Sequence, residues 1–442
     1  MMGSRMGRLL SGFGLTLLIV LPAVGLLTLA PWWALVVLIV LLVAWMAFTR
    51  TGQQSWSVTE VGIATIPQRL GSSSVVVVGI AGVVGVLVAL LAMAVGFEAT
   101  LRETGTDDTV IVMRGGAQTE LNSILDHDTA TVVAQAPQVL HNAAGQPIAS
   151  PELVLVAAIP KKSDGLDANV EIRGVGERAW ELRPGIKIIA GRKFNPGLRE
   201  LIVGASAAQQ FKNVDIGSTL KLNGQLWTIV GKFDSGDSHN SELWGDTDVV
   251  GSTYRRGSST CSITMRLTDP GAFGALKAAL TTDPRIKVDV STTRDYYNRQ
   301  SEQISTLIRI LGITVGVIMA IGAVFGALNT MYAAVATRAR EIATLRAIGF
   351  RGLPVIVSVL VETMLLATLG GALGAAIAWA IFDGYTAATL GSNFSQVVFN
   401  FSVTPQLLWG GLKWALAIGF IGGLFPAVRA ARQPVTAGLR EL

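Results

Sequence analysis

The 442-residue chain contains one cysteine, Cys261, and only three histidines, His127, His141 and His239. A lone thiol excludes an intrachain disulfide, and the histidines lack the HxxxH spacing that puts two imidazoles on one helix face, so no metal site is expected. GxxxxGK[ST], GxSxG, HExxH and CxxC are also missing. Without a phosphate-cradling loop, a nucleophile elbow or a paired-histidine motif, neither ATP hydrolysis nor other catalysis is expected on this chain. Charge is scarce too, at 15% of residues, against about 25% in ordinary soluble domains.

What is present is apolar. Half of the residues are hydrophobic and the mean hydropathy is +0.52, as in an integral membrane protein that also carries one sizeable soluble part. The formal charge of +5 need not signal nucleic acid, because a membrane protein gathers Lys and Arg in its cytoplasmic loops. No nucleic-acid partner is expected. A helix needs about 20 apolar residues to cross a bilayer. Such runs lie at 11–30, 32–48, 73–96, 305–332, 354–382 and 405–427, which predicts six transmembrane helices. The first two form a hairpin interrupted by Pro31, with Trp32 and Trp33 at an interface.

The short loops decide the orientation. Arg5, Arg8, Arg50, Arg69, Arg338, Arg340, Arg346, Arg351, Arg429, Arg432 and Arg440 fall on one side, while the loops 30–32 and 383–404 have no Lys or Arg. Both termini are therefore expected in the cytoplasm. The first run lacks a small-residue cleavage pattern, so no cleavable signal peptide is expected.

Residues 97–302 then lie outside the cytoplasm. Their short alternating segments and turns predict an α+β domain, split into two lobes near residues 160–200. Asn223-Gly224 between alternating apolar positions predicts a hairpin. "CSITMRL", "GAFGALKAALTT" and "IKVDVST" predict strand, helix and strand in a βαβ unit. The acid-rich run 234–248 reads as a solvated loop in preference to a cation site. From Thr293 the helical composition continues into the apolar run without a proline, which predicts one continuous stalk helix.

Within the spans, Gly312 with Gly316, Gly322 with Gly326, and Gly370 with Gly374 have small-xxx-small spacing, the pattern of closely packed helices. Glu362 is the acid that stands out in an apolar run. A buried acid there is costly and has a role; pairing with Arg351 or water is expected in preference to proton coupling. The segment 336–350, "ATRAREIATLRAIGF", places Ile342, Leu345, Ile348 and Gly349 at helical spacing, while Arg338, Glu341 and Arg346 are expected to point elsewhere. It reads as a short amphipathic helix, serving either as a membrane-surface anchor or as a docking surface; periodicity leaves both open.

"RAREIATLRAIGF" followed by "VIVSVLVETMLLATLGGALGAAIAW" resembles the signature region of the FtsX-like (MacB-type) ABC transporter permease family. The resemblance extends to "PAVRAARQPVTAGLREL" and to the segment from Ile63 to Leu101. It implies an α-helical membrane protein with an inserted extracytoplasmic α+β domain. The parts would be an N-terminal hairpin (1–50), an amphipathic elbow (51–72) anchored by Trp56, a first core span (73–96), a MacB-like periplasmic domain (97–302), and three spans with a coupling helix (303–442). In that scheme Arg338, Arg340, Glu341, Ile342, Leu345, Arg346 and Ile348 couple to a separate ATPase subunit, which holds the ATP and Mg, with no cofactor on this chain. The resemblance also implies a permease dimer in the bacterial inner membrane and a periplasmic adaptor as a further partner. Two functions are compatible with it: ATP-driven export of an amphiphilic, peptide or lipid-linked substrate, and regulation of an extracytoplasmic cell-wall hydrolase without transport. An ion-coupled transporter is disfavoured, since the spans lack paired charges and inverted repeats.

Overall fold

A computed structural model describes residues 22–434. The chain divides into two compact units, one of Met1–Ala92, Ile308–Gly384 and Ser402–Leu442, the other of Met93–Leu307 and Tyr385–Phe401.

The first unit is helical. Among the described residues four helical segments are long and apolar enough to cross a membrane: Ile66–Thr104, Thr293–Thr337, Gly352–Phe382 and Pro405–Arg432. These match the last four of the six expected spans. The run 11–30 lies largely outside the described residues. The next, Trp32–Phe48, is an apolar helix of 17 residues followed by Arg50–Ala64 at a bend of 103°. The break falls at Thr49, whose extended backbone starts the second helix and whose hydroxyl accepts from the Gly52 amide at 2.9 Å, an N-cap. The expected count of six is thus four long spans and one shorter bent helix in the described chain.

Small residues let these helices approach closely. A Cβ on Gly374 would sit 2.4 Å from the Ala81 carbonyl oxygen, and one on Gly370 2.8 Å from that of Val77. Without a hydrophobic force between helices in lipid, such close contact is what holds them. Gly312 and Gly316 pack likewise against Leu90 and Leu87, whereas nothing lies within 4 Å of a Cβ at Gly322 or Gly326. The small-residue spacing therefore marks packed faces at two of its three occurrences. A cluster of Met331, Val335, Ile342, Val355, Val359, Ala427 and Ala430 joins the other ends of the helices.

The second unit is α+β. Its ten-stranded sheet contains β1 (Thr109–Arg114), β2 (Ala149–Pro160), β3 (Asp167–Val175), β4 (Lys187–Gly191), β5 (Glu200–Gly204), β6 (Thr219–Leu222), β7 (Gln225–Asp234), β8 (Glu242–Asp246), β9 (Ser262–Arg266) and β10 (Val288–Thr292). The order is β10-β1-β9-β2-β3-β8-β5-β7-β4, with β6 beside β7. β6 and β7 are joined through Asn223 (φ 45°) and Gly224 (φ 82°), with Leu222 opposite Gln225. Two left-handed residues in a two-residue connection make the hairpin that the Asn-Gly pair predicts. β9 and β10 are linked by the helix Phe273–Thr282, and both run antiparallel to β1, which lies between them. The expected βαβ unit is present in its split form.

Four apolar clusters fill this unit, two of them large. One gathers β1, β9, β10 and their helices around Val112, Ile263 and Leu276; the other gathers β2, β3, β5, β7 and β8 around Ile172, Leu201 and Trp227. They meet within β2, whose residues 149–152 pair with β9 and whose residues 153–160 pair with β3. The lobe boundary expected at 160–200 is therefore displaced, because one long strand serves both cores.

The loop 383–404 is not a plain connection. It contains a two-stranded hairpin, β11 (Thr386–Leu390) and β12 (Gln396–Asn400). Phe399 and Val397 of this hairpin join Phe97, Leu101, Ile111, Met113 and Tyr296 in one apolar cluster, so the segment between two apolar helices folds as part of the α+β unit.

Candidate functional site

The expected coupling segment forms the helix Ala339–Ala347, with Arg338 at its N-cap and Gly349 (φ 107°) beyond its end. Its seven singled-out residues face two ways. Ile342 is buried in the helical core. Arg338 is turned inward to Glu362, at 3.2 Å, and also meets Glu341 at 3.3 Å, while Arg346 donates to the Gln433 carbonyl. Arg340, Glu341 and Ile348 are exposed and Leu345 is half-buried. Ile342 is thus part of the fold's interior, since helix Ala339–Ala347 needs an apolar side against its neighbours before it can offer the other side outward.

Glu362, almost fully buried, accepts from Arg69 at 2.9 Å as well as from Arg338. Its partners are these two arginines and not Arg351. Gly62 faces the same node: a Cβ there would lie 3.3 Å from Ser358 Oγ and 3.4 Å from Arg338 Nη1. The helix Arg50–Ala64 thus buries its small and polar side, Gly52, Ser55, Val58, Thr59 and Gly62, and leaves Trp56 exposed. Glu362 is not the lone charge on these helices, since Arg309 and Lys413 also lie within the expected spans.

The second charged site went unnoticed in the sequence. Arg173 on β3, 2% exposed, is ringed by four carboxylates. Its Nε donates to Glu242 at 2.8 Å, Nη1 to Glu120 and Glu152 at 2.9 Å each, and Nη2 to Glu171 at 2.9 Å. Arg183 forks onto Glu152 at 2.6 and 2.9 Å. Two neutral donors complete the ring: Ser262 Oγ to Glu120 at 2.5 Å and Trp244 Nε1 to Glu242 at 2.7 Å. Glu171 and Arg173 share a face of β3, and Glu171 stands opposite Glu242 in the parallel β3–β8 ladder. Two like charges directly opposite repel; the guanidinium two residues along offsets this. The hairpin covers the remaining side. Asn393 Nδ2 and Ser395 Oγ donate to Glu171 Oε2 at 3.1 and 3.2 Å.

The four acids do not share the arginine equally. Burial opposes ionisation of Glu152, but Arg183 and Arg173 hold its carboxyl down at about 2. Glu242 is also lowered, burial being outweighed by Arg173. Burial, followed by repulsion from Glu242 and Glu120, pushes Glu171 up to about 8 despite Arg173. The acid-rich run 234–248 is likewise no solvated loop: Glu242, Trp244 and His239 are buried, and Asp237 and Asp246 cap the short helices that follow them.

Four long apolar helices, with an α+β unit inserted between the first and the second, define a polytopic membrane protein whose bulk outside those helices is one folded domain. Residues 73–283 match the MacB-like periplasmic core domain, and residues 313–435 match the FtsX-like permease C-terminal region. The chain belongs to the FtsX-like, MacB-type ABC transporter permease family. It is 24% identical over 310 residues to the macrolide export ATP-binding/permease protein MacB of Neisseria meningitidis serogroup A, covering 64% of this chain and 46% of that protein. The MacB of Pectobacterium atrosepticum is 38% identical over 117 residues, 26% of this chain and 17% of its own. The chain thus spans less than half the length of these curated relatives. Among solved structures, the periplasmic region of MacB from Actinobacillus actinomycetemcomitans aligns with 42% of this chain and 90% of its own, at 16% identity and a TM-score of 0.33.

Proposed function

We propose that this chain is the permease subunit of an ABC transporter, transmitting the movement of a separate ATPase to its periplasmic domain to export or extract an amphiphilic, peptide or lipid-linked substrate. The observation that supports this most directly is the helix Thr293–Thr337. It runs unbroken for 45 residues, from the residue after β10 to within two residues of helix Ala339–Ala347. A continuous helix can carry displacement along its length, and this one would link the short helix to β10, the edge strand of the sheet. Nucleotide-driven closure of two ATPases would move the short helices of a permease dimer, with both termini and these helices on the cytoplasmic side of the inner membrane and a periplasmic adaptor at the other end. ATP and Mg would reside on the ATPase, in keeping with the lack of a phosphate-binding motif here.

The outward residues Arg340, Glu341 and Ile348 would make the ATPase contact, with Leu345 at its edge. Arg338, Ile342 and Arg346 would hold the helix in place from within. Co-purification of the full chain with a co-expressed ABC ATPase of the same organism, and ATP turnover of the complex, test this. Arg340→Ala with Ile348→Asp is expected to abolish co-purification while the permease elutes as the wild type does. An unchanged complex would make the short helix a membrane-surface anchor and remove the mechanism.

A further inference from the structure

We propose that Glu171 is a proton-binding site whose occupancy controls the seating of the β11–β12 hairpin on the α+β unit. The site is independent of any ATPase contact and follows from charge and geometry within that unit.

Glu120, Glu152, Glu171 and Glu242 converge on Arg173, and only Arg183 adds a second guanidinium. Four carboxylates against two guanidiniums leave the cluster two carboxylates in excess, and the neighbouring Asp237 and His239 hydrogen-bond to each other at 3.0 Å. A buried surplus of negative charge is costly, and proton uptake is the simplest relief. Glu171 is placed to take the proton. It is bonded to Arg173 through one oxygen only, while Glu152 is held by two arginines and Glu242 by two bonds from Arg173. Glu171 also faces Glu242 from β8 and Glu120 from the turn 120–122, with Tyr296 and Tyr297 beyond them on the helix that begins at Thr293.

Its other oxygen belongs to the hairpin. Asn393 and Ser395 donate to it, and the hairpin is further tied by Val398 N to Ser241 Oγ at 2.9 Å and by Asn169 Nδ2 to the Phe394 carbonyl at 3.0 Å. Asn393 is buried, yet its Oδ1 has no hydrogen-bond partner, nor does Gln300 Nε2. Both residues line a cavity of about 30 Å³ against Glu171, room enough for a water to carry the proton. As seated, Asn393 donates to Glu171 and so opposes part of the effect of burial; turning the Asn393 amide over would present Oδ1 as an acceptor for a protonated Glu171.

The direction of the effect follows from what seating does to the carboxyl. With the hairpin seated, Glu171 is raised from the ordinary 4.5 to about 8; with the hairpin lifted, water reaches the carboxyl and the value falls. Seating therefore takes up a proton. It is strongest below the value of the lifted state and is lost as pH rises through about 8, by up to roughly tenfold in the seated-to-lifted ratio per pH unit.

Hydrogen exchange of the full chain in lipid nanodiscs, corrected for intrinsic rates, tests this between pH 5.5 and 8.5. Protection of residues 391–400 is expected to fall across that range by up to roughly tenfold per pH unit, while that of β1 stays level. In Glu171→Gln the hairpin should remain protected with no such slope. Asn393→Asp, a change on the hairpin that spares the sheet, should lower protection and bring its loss to lower pH. A wild-type hairpin indifferent to pH, a wild-type slope in Glu171→Gln, or an unaltered profile in Asn393→Asp would each overturn the proposal.

Discussion

Each unit of the molecule buries an ion cluster, and the two are balanced differently. In the helical unit one buried carboxylate, Glu362, meets two guanidiniums, Arg69 and Arg338, which keep some contact with water, and Arg338 also reaches the exposed Glu341. In the α+β unit four carboxylates meet two, Arg173 and Arg183. The first cluster ties the turn after helix Arg50–Ala64 and the start of Ala339–Ala347 to one position on Gly352–Phe382, and it needs nothing further. The second cannot be charged throughout without cost, so it answers to its surroundings. Burial alone does not decide whether an ion pair is a fastener or a sensor; the count of charges does.

The comparison is broken most severely at the shared cation. Arg173→Met would leave four buried carboxylates without their common partner. Removal of one member of a buried ionic cluster costs about 3–5 kcal/mol, and here it strands several groups at once. The α+β unit is expected to unfold or to lose most of its stability. Trp227 and Trp244, both fully buried in this unit, contribute to a tryptophan fluorescence transition that should move to much lower temperature, and an unshifted transition would show that the ring contributes little. Glu362→Ala should be milder. It strands Arg69 and Arg338, but their side chains retain 17% and 13% exposure, and water reaching them limits the loss to about 1–3 kcal/mol. A lower thermal midpoint in detergent, with faster proteolysis near residues 65–69, checks it.

The two clusters were not equally legible in the sequence. Glu362 stands out because an acid within an apolar run is conspicuous, although its partner Arg69 lies too far along the chain for local spacing to identify. Glu171 and Arg173 alternate with Val170, Ile172 and Gly174, a pattern that in an antiparallel edge would put the charges in water. Here both faces of β3 are buried, because the turn at Glu120 and the hairpin 386–400 cover the polar one. That hairpin left a signal of its own, five-residue strands flanking Gly391-Ser392-Asn393, yet its place between two apolar runs disguised it as a short loop. The Asn223-Gly224 turn, the split βαβ unit and the long helix from Thr293 were legible because their signals are local. The inward turn of Ile342 was not, since an amphipathic period identifies a face without saying what covers it.

The glycines sharpen the same distinction between spacing and surroundings, at smaller cost. Gly374 and Gly322 both belong to small-xxx-small pairs in long apolar helices, and a Cβ on Gly374 would press into the Ala81 backbone, with the carbonyl oxygen 2.4 Å and the Cα 2.9 Å away. Backbone cannot swing aside as a side chain can, so Gly374→Ala is expected to force the helices apart and to cost about 1–3 kcal/mol. At Gly322 the added methyl meets nothing within 4 Å. There the substitution only relieves the conformational entropy of a helical glycine, for a gain of about 0.5–1 kcal/mol. Thermal midpoints of the two single variants in the same detergent should therefore move in opposite directions. A shared decrease would mean that the Gly322 face is also covered in the assembled protein, by a partner whose approach needs the missing side chain.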